Sequence, residues 1–207
     1  MDTIKLNFIN RSQDTNNSSV VIFQKNTAES FEENAIAWKV IQNCGQLDNH
    51  PFVFPLNFSV SASDAYGNYT PRINAWDGQA FDMVLAPSGD ILQLSTTASD
   101  VPTQVEVRNN LSRGAINAMC YKDKKVVAAK TNLAPGQKAL FEFSPRIYIG
   151  VVSQVVEEGS VLNSAIISEI NTEINLMGIR SADIVMTGGG PGKGSTAFNF
   201  TLENINE

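Results

Sequence analysis

The chain has 207 residues, 43% of them hydrophobic and 17% charged, a balance that fits a globular protein and excludes a disordered one. Its formal net charge of −6 repels phosphate backbones and argues against a nucleic-acid partner; the best basic run, Lys122, Lys124, Lys125 and Lys130, reads as a solvated hairpin end. No apolar run reaches the ~18 residues a transmembrane helix needs, and the first residues lack the pattern of a Sec leader, so the expected location is the cytoplasm or outside the cell by a route without a cleaved Sec signal.

Taken in order, residues 3 to 9 alternate Ile4, Leu6 and Phe8, the period of a half-buried strand. A polar loop and a second strand, VVIFQK, complete a hairpin. Residues 29 to 34 (ESFEEN) read as a helical turn or a loop, with Glu32 and Glu33 as solvated carboxylates. AIAWKVI follows, apolar on both faces, which predicts a central strand. The next extended stretch, PFVFPLNFSVSAS, contains Pro51 and Pro55, and an internal proline sends a strand to a sheet edge or marks a bulge.

Two internal resemblances stand out. Residues 104 to 122 repeat the strand, Asn-rich loop and strand of the first hairpin, and residues 131 to 152 repeat residues 73 to 94. In the second pair, a turn (Gly78 and Gln79 in one copy; Asn132, Pro135 and Gly136 in the other) opens alternating strands broken by a proline. The expectation is a single β-sandwich domain over 1–207 that carries an internal duplication, 3–98 and 103–207.

From residue 160 the period changes. Leu162, Ile166, Ile170 and Ile174 recur every four residues, Ser160 precedes them as a candidate N-cap and Gly178 follows as a stop, which predicts one amphipathic α-helix over 160–177. Short strands with frequent turn signals and a single helix make the predicted fold mainly β, an antiparallel β-sandwich.

The chemistry-bearing motifs are few. The loop TGGGPGKGST places Gly192 and Lys193 where a P-loop has Gly-Lys, but Thr187 stands at the first glycine position, Gly194 at the hydroxyl position, and a strand rather than a helix follows. It reads instead as a mobile or partner-contacting hairpin loop built on Gly188, Gly189, Gly190, Gly192 and Lys193. His50 is the sole histidine, with Asp48 two residues away, and no serine lies in a nucleophile elbow. One histidine with Cys44 and Cys120 supplies no standard zinc set, and no cofactor is expected. Asp64 and Asn68 are the weak exception, an irregular calcium candidate. In a chain without a leader the two cysteines read as reduced thiols.

Trp76, Tyr66 and Tyr69 fall in turn-like sequence with Asp77 and Gln79 close by, a set that suits a glycan or a lipid headgroup. In general character the chain is similar to small β-sandwich lectins and membrane-binding cytolysins, a similarity of class that implies ligand binding or membrane activity. The leading expectation is a non-enzymatic interaction protein that binds a protein partner or copies of itself. The alternative is a glycan- or lipid-binding module.

Overall fold

The computed structural model describes residues 3–16, 18–28 and 35–207; the segment read as a helical turn or loop at 29–34 lies outside the described residues. The described residues are mainly β. In chain order the strands are β1 (Thr3–Asn10), β2 (Ser19–Phe23), β3 (Lys39–Ile41), β4 (Asn49–Pro55), β5 (Phe58–Asp64), β6 (Ile73–Ala75), β7 (Ala80–Ala86) and β8 (Gly89–Leu94). They continue as β9 (Val105–Asn109), β10 (Ile116–Lys122), β11 (Lys125–Leu133), β12 (Lys138–Phe141), β13 (Arg146–Val152), β14 (Thr172–Asn175), β15 (Ser181–Gly189) and β16 (Thr196–Asn206). One short helix, α1 (Ser164–Glu169), interrupts them, as expected for a β-sandwich fold.

The strands divide into two compact units. One comprises Met1–Lys25, Ala35–Leu56 and Pro145–Glu207, the other Asn26–Asn34 and Asn57–Ser144. In the first unit, sheet A runs β16-β15-β1-β4 and sheet B runs β14-β13-β2-β3. In the second, sheet C runs β8-β7-β9-β12 and sheet D runs β6-β5-β10-β11. Pairing is antiparallel throughout except at the centre of sheet A, where β1 runs parallel to β15, and at the centre of sheet C, where β7 runs parallel to β9.

The two units share one plan, strand for strand. Sheet A corresponds to sheet C with β16, β15, β1 and β4 in the places of β8, β7, β9 and β12; sheet B corresponds to sheet D in the same way. The correspondence extends to individual hydrogen bonds. Asn10 ends β1 and Asn109 ends β9, both buried. Each side-chain oxygen accepts from the N–H two residues on, Ser12 at 2.9 Å and Leu111 at 3.2 Å. Each Nδ2 donates to a carbonyl ahead of the edge strand, Cys44 at 2.7 Å and Leu133 at 2.8 Å. Buried amides cost little only when both ends are satisfied, and here one turn does it twice. Asn10 N–H donates to Asp48 O and Leu47 N–H to Asn10 O; Asn109 N–H donates to Gln137 O and Gly136 N–H to Asn109 O.

Alternation sets the cores. In β1, Ile4, Leu6 and Phe8 point inward and are buried, while Thr3 and Lys5 are exposed. Pro51 and Pro55 fall on β4, an edge strand, where a missing N–H costs no ladder bond. The segment AIAWKVI, expected as a central strand, is corrected: only Lys39–Ile41 is strand, at the edge of sheet B. Of its preceding residues Ile36, Ala37 and Trp38 are buried: a neighbouring loop pairs with the segment, Ala37 N–H donating to Ser160 O and Leu162 N–H to Ala35 O, and the Trp38 ring packs on Phe52 and Phe54.

The helix is shorter than its stripe. Its N-cap is Asn163, whose Oδ1 accepts the Ile166 N–H at 2.9 Å, and not Ser160. Leu162, Ile166 and Ile170 pack with Val21, Phe23 and Val152 against sheet B, but Ile174 belongs to β14, paired with Ile147. A spacing of four residues satisfies a strand's period of two as well as a helix's 3.6, so the last member of the stripe was free to pair. The helix end crosses β13 at Gly150, where an added Cβ would lie 2.7 Å from Ile170 Cα. Only glycine admits that approach.

Candidate functional site

The aromatic set separates into two groups. Tyr66 and Tyr69 lie in the β5–β6 loop, Tyr66 92% exposed, with Tyr69 bridged to Ser63. Trp76 follows β6 at the other end of the same hairpin, where Ala75 pairs with Phe58. Five strand residues, about 17 Å, separate the two levels, so the tyrosines and the tryptophan do not form one platform. In the tyrosine loop the Asp64 carboxylate is occupied. Oδ1 accepts from Tyr66 N–H at 2.8 Å and Asn68 N–H at 2.9 Å, and Oδ2 accepts from Asn68 Nδ2 at 2.7 Å. The Asn68 side-chain bond and those from the backbone hold its carboxyl below the usual range.

Trp76 is 56% exposed. Gln79 beside it is a turn cap, its Oε1 accepting the Trp76 N–H at 3.0 Å. Asp77 is raised above the usual carboxylate range by burial and by Glu142, against the pull of Lys122. Lys122 departs from the solvated reading of the basic run: it is buried, its ammonium lies 5.5 Å from the centre of the Phe143 ring, and burial lowers it to about 8. Strand alternation puts Lys122 on the inward face with Cys120 and Ala118.

The glycine loop spends its freedom on close packing. Gly188, Gly189, Gly190 and Gly192 all have positive φ, and a Cβ on Gly188 would lie 2.1 Å from Ala197 O, one on Gly189 2.7 Å from the Phe198 ring. Gln13 N–H donates to Gly188 O at 2.8 Å, tying the hairpin to the first loop. Lys193 sits at the exposed tip, in a single 3-10 turn, Gly192–Gly194. The backbone conformation alone therefore accounts for the glycines at 188 and 189.

His50 lies in β4 opposite Phe8, and Asp48 Oδ2 accepts the Gly45 N–H at 3.1 Å as part of its own turn. Cys44 and Cys120 are free thiols, and burial pushes the Cys120 thiol up. Among the described residues no cluster of three His, Cys, Asp or Glu side chains is placed to hold a metal. No helix among them is long and apolar enough to cross a membrane.

The surface that sequence reasoning missed is the outer face of sheet A. Lys5 and Asn7 on β1, Pro51 and Val53 on β4, and Asp183 on β15 line an open groove of about 530 Å³, with Asn204 from β16 at its side. Asp183 is the hub: Oδ1 accepts from Asn7 Nδ2 at 3.2 Å and Oδ2 from Asn204 Nδ2 at 2.6 Å. Asn204 reaches it from a positive-φ position (+49°) at a register shift between β15 and β16. Asn7 Oδ1 is buried with no hydrogen-bond partner, and the Lys5 ammonium has none among the described residues. The apolar and polar alternation in β1 marked Lys5 and Asn7 as outward-facing, but nothing in sequence places Asp183 beside them.

The matching face of sheet C is covered. Residues 95–101 cross it, held by Glu106, Arg108 and Lys138, three side chains that stand where sheet A has Asn7, Ile9 and Asn49 when Asn109 is matched to Asn10. Glu106 accepts from Asp100 N–H at 3.0 Å and from Lys138 Nζ at 2.8 Å. Arg108 donates to Glu106 at 2.8 Å, to Thr97 Oγ1 at 2.6 Å and to Ala98 O at 2.8 Å. Lys138 also pairs with Asp100. Burial alone would raise the Glu106 carboxyl, but the bonds from Lys138, Asp100 and Arg108 prevail and lower it to about 2.

Comparisons with protein-family models, with curated proteins and with solved structures found no match.

Proposed function

We propose that this is a non-enzymatic interaction protein that binds another polypeptide, a partner protein or a second copy of itself, through the outer face of sheet A. One observation carries the reading. Two sheet faces built to the same plan differ in that one is covered by the chain's own residues 95–101 and the other is left as a groove with a lysine, Lys5, that has no partner among the described residues, an orphaned amide oxygen and half-exposed Val53. An uncovered face of this kind, part apolar and part polar, is what a protein interface requires.

The test is photo-crosslinking in cells that make the protein, with a photoreactive residue at Val53 and a control at Leu85, which is exposed in the other unit. The expected result is a protein adduct at Val53 and none at Leu85, and the adduct mass tells a second copy from a different protein. No adduct at Val53, or equal adducts at both positions, removes this reading.

The exposed Trp76 ring supports a second reading, a glycan- or lipid-binding module. Under it Trp76→Ala lowers binding to a glycan array or to liposomes about tenfold, the loss of one ring contact worth roughly 1 to 2 kcal/mol. Unchanged binding would leave the ring as cover for its own turn.

A further inference from the structure

We propose that β16, the outer strand of sheet A, pairs edge to edge with β16 of a second copy of the chain, antiparallel, about a two-fold axis through Thr201. The contact uses the edge of the sheet and not the groove on its face, so it goes beyond the reading above and stands whatever occupies that groove.

A strand at a sheet edge offers a row of N–H and C=O groups to any other strand, and folds blunt their edges with short strands, prolines, charges and bulges. Four sheets of four strands give the described residues eight edges. At these edges β3 and β6 have three residues each, and β12 and β14 have four each. β4 carries Pro51 and Pro55, β11 carries Lys125 and Lys130, and the six-residue β8 carries Asp90. β16 is the exception, with 11 residues, no proline and no lysine. Among the described residues the backbone of 196–203 bonds to β15 and to nothing on its other side.

The register of β16 fixes where the pairing falls. The strand holds an extra residue against β15 at each end, between Glu203 and Asn206 and between Thr196 and Asn199, and a bulge bends a strand out of line. Between the bulges, 199–203 runs in unbroken register with residues 183–187. Only this run is regular enough to take another strand, and an antiparallel copy set symmetrically on it has its axis at the middle residue, Thr201. The side chains suit that register. Thr201 is exposed and meets itself, a favourable cross-strand pair. Glu203, the single charge of the run, falls opposite Asn199 of the second copy and not opposite itself. Arg11 donates to its Oε2 at 2.8 Å, which leaves Oε1 to accept from the Asn199 amide. On the inner face half-buried Leu202 falls opposite buried Phe200 of the second copy, so the two apolar interiors join without a break. A strand of another protein has to match the run between its bulges, the amide and the apolar pair all at once, whereas a second copy does so by symmetry. The paired run is short, and its area falls below the about 1,200 Å² of a standard interface, so the dimer dissociates on dilution.

The experiment is analytical ultracentrifugation of the whole chain from dilute to concentrated solution, for the unaltered protein, Thr201→Lys, Thr201→Glu and an equal mixture of the two variants. Position 201 is exposed, so both variants are expected to fold, which an unchanged thermal midpoint confirms. The expected result is a 22.5 kDa monomer that doubles in mass as concentration rises. Like charges meeting across the axis weaken association about fivefold or more in either variant, and the mixture, where lysine meets glutamate, recovers it. A monomer at every concentration overturns the proposal. So does a dimer that neither variant weakens, because it forms through another surface. Loss in both variants without recovery in the mixture overturns it too, because position 201 then does not face itself. Should a charged variant lower the midpoint, Thr201→Cys with Cys44→Ser takes its place. Oxidation then links two copies through position 201 and not through Asn199→Cys in the same background, and an unlinked chain, or equal linking at both positions, counts against the axis. Each outcome is separate from the crosslink at Val53, which tests the groove.

Discussion

Leu47 is a leucine where the matching turn of the other unit has a glycine. Its φ is +69°, against +82° for Gly136, and both residues donate their N–H to the buried asparagine that ends the neighbouring strand. A side chain in the left-handed region costs roughly 1 to 2 kcal/mol, and Leu47 is 75% exposed, so it recovers little by packing. Leu47→Gly removes that strain at the cost of a more flexible unfolded chain, for a net gain of about 1 kcal/mol. Thermal unfolding should shift up by about 2 to 4 °C, and a lower midpoint would mean that the leucine makes contacts its exposure does not reveal. Residues of this kind were legible in part. The Gly-Gln turns at 78 and 136 could be read as turns, but the role of each glutamine, taking the Trp76 or Ala134 N–H on its own side-chain oxygen, depends on a backbone conformation that sequence does not print. Hence Gln79, expected beside a ligand, is a turn cap.

At the scale of elements, the segment over sheet C shows what a sheet face needs to be closed. Glu106 is fully buried on a face that alternation alone would give to water, and it stays ionised because three donors converge on it. Its folded pKa of about 2 lies below the reference 4.5, so the native state binds fewer protons, and the stabilisation is present above pH 4.5 and lost as the pH falls through 2. At about 1.4 kcal/mol per unit this is on the order of 3 kcal/mol. Glu106→Gln should therefore be less stable to urea by roughly that amount at pH 7, and the gap should shrink between pH 4.5 and pH 2. An equal gap at pH 3 and pH 7 would place the effect in packing rather than charge. The helix marks the limit of element-level reading: Leu162 and Ile166 sit where the stripe puts them, while Thr172 and Ile174 were taken by β13, a partner more than twenty residues earlier that no local window contains.

For the whole molecule, the strand inventory and the single helix were readable from alternation and turn residues, but the pairing was not. The similarity of 104–122 to the first hairpin falls on β9 and β10, which occupy the same places in their unit as β1 and β2 in theirs. The similarity of 131–152 to 73–94 falls on strands in different places; what those stretches share is one turn, used on both sides of β9. Local patterns thus report local chemistry, and only register tells which of them mark equivalent positions. The order of pairing has a kinetic consequence. Sheet A joins residues 176 apart, as at Asn7 and Asp183, whereas the pairs of the second unit close within Asn57–Ser144. Loop closure costs entropy that grows with length, and contacts distant in sequence form late. On refolding from urea, pulse-labelled hydrogen exchange should protect the amides of β5, β9 and β10 before those of β1 and β15. Protection of β1 and β15 first would mean that the chain ends find each other before the middle has folded and that sheet A, despite its span, nucleates the structure; protection of all five together would mean that the two units form in one cooperative step.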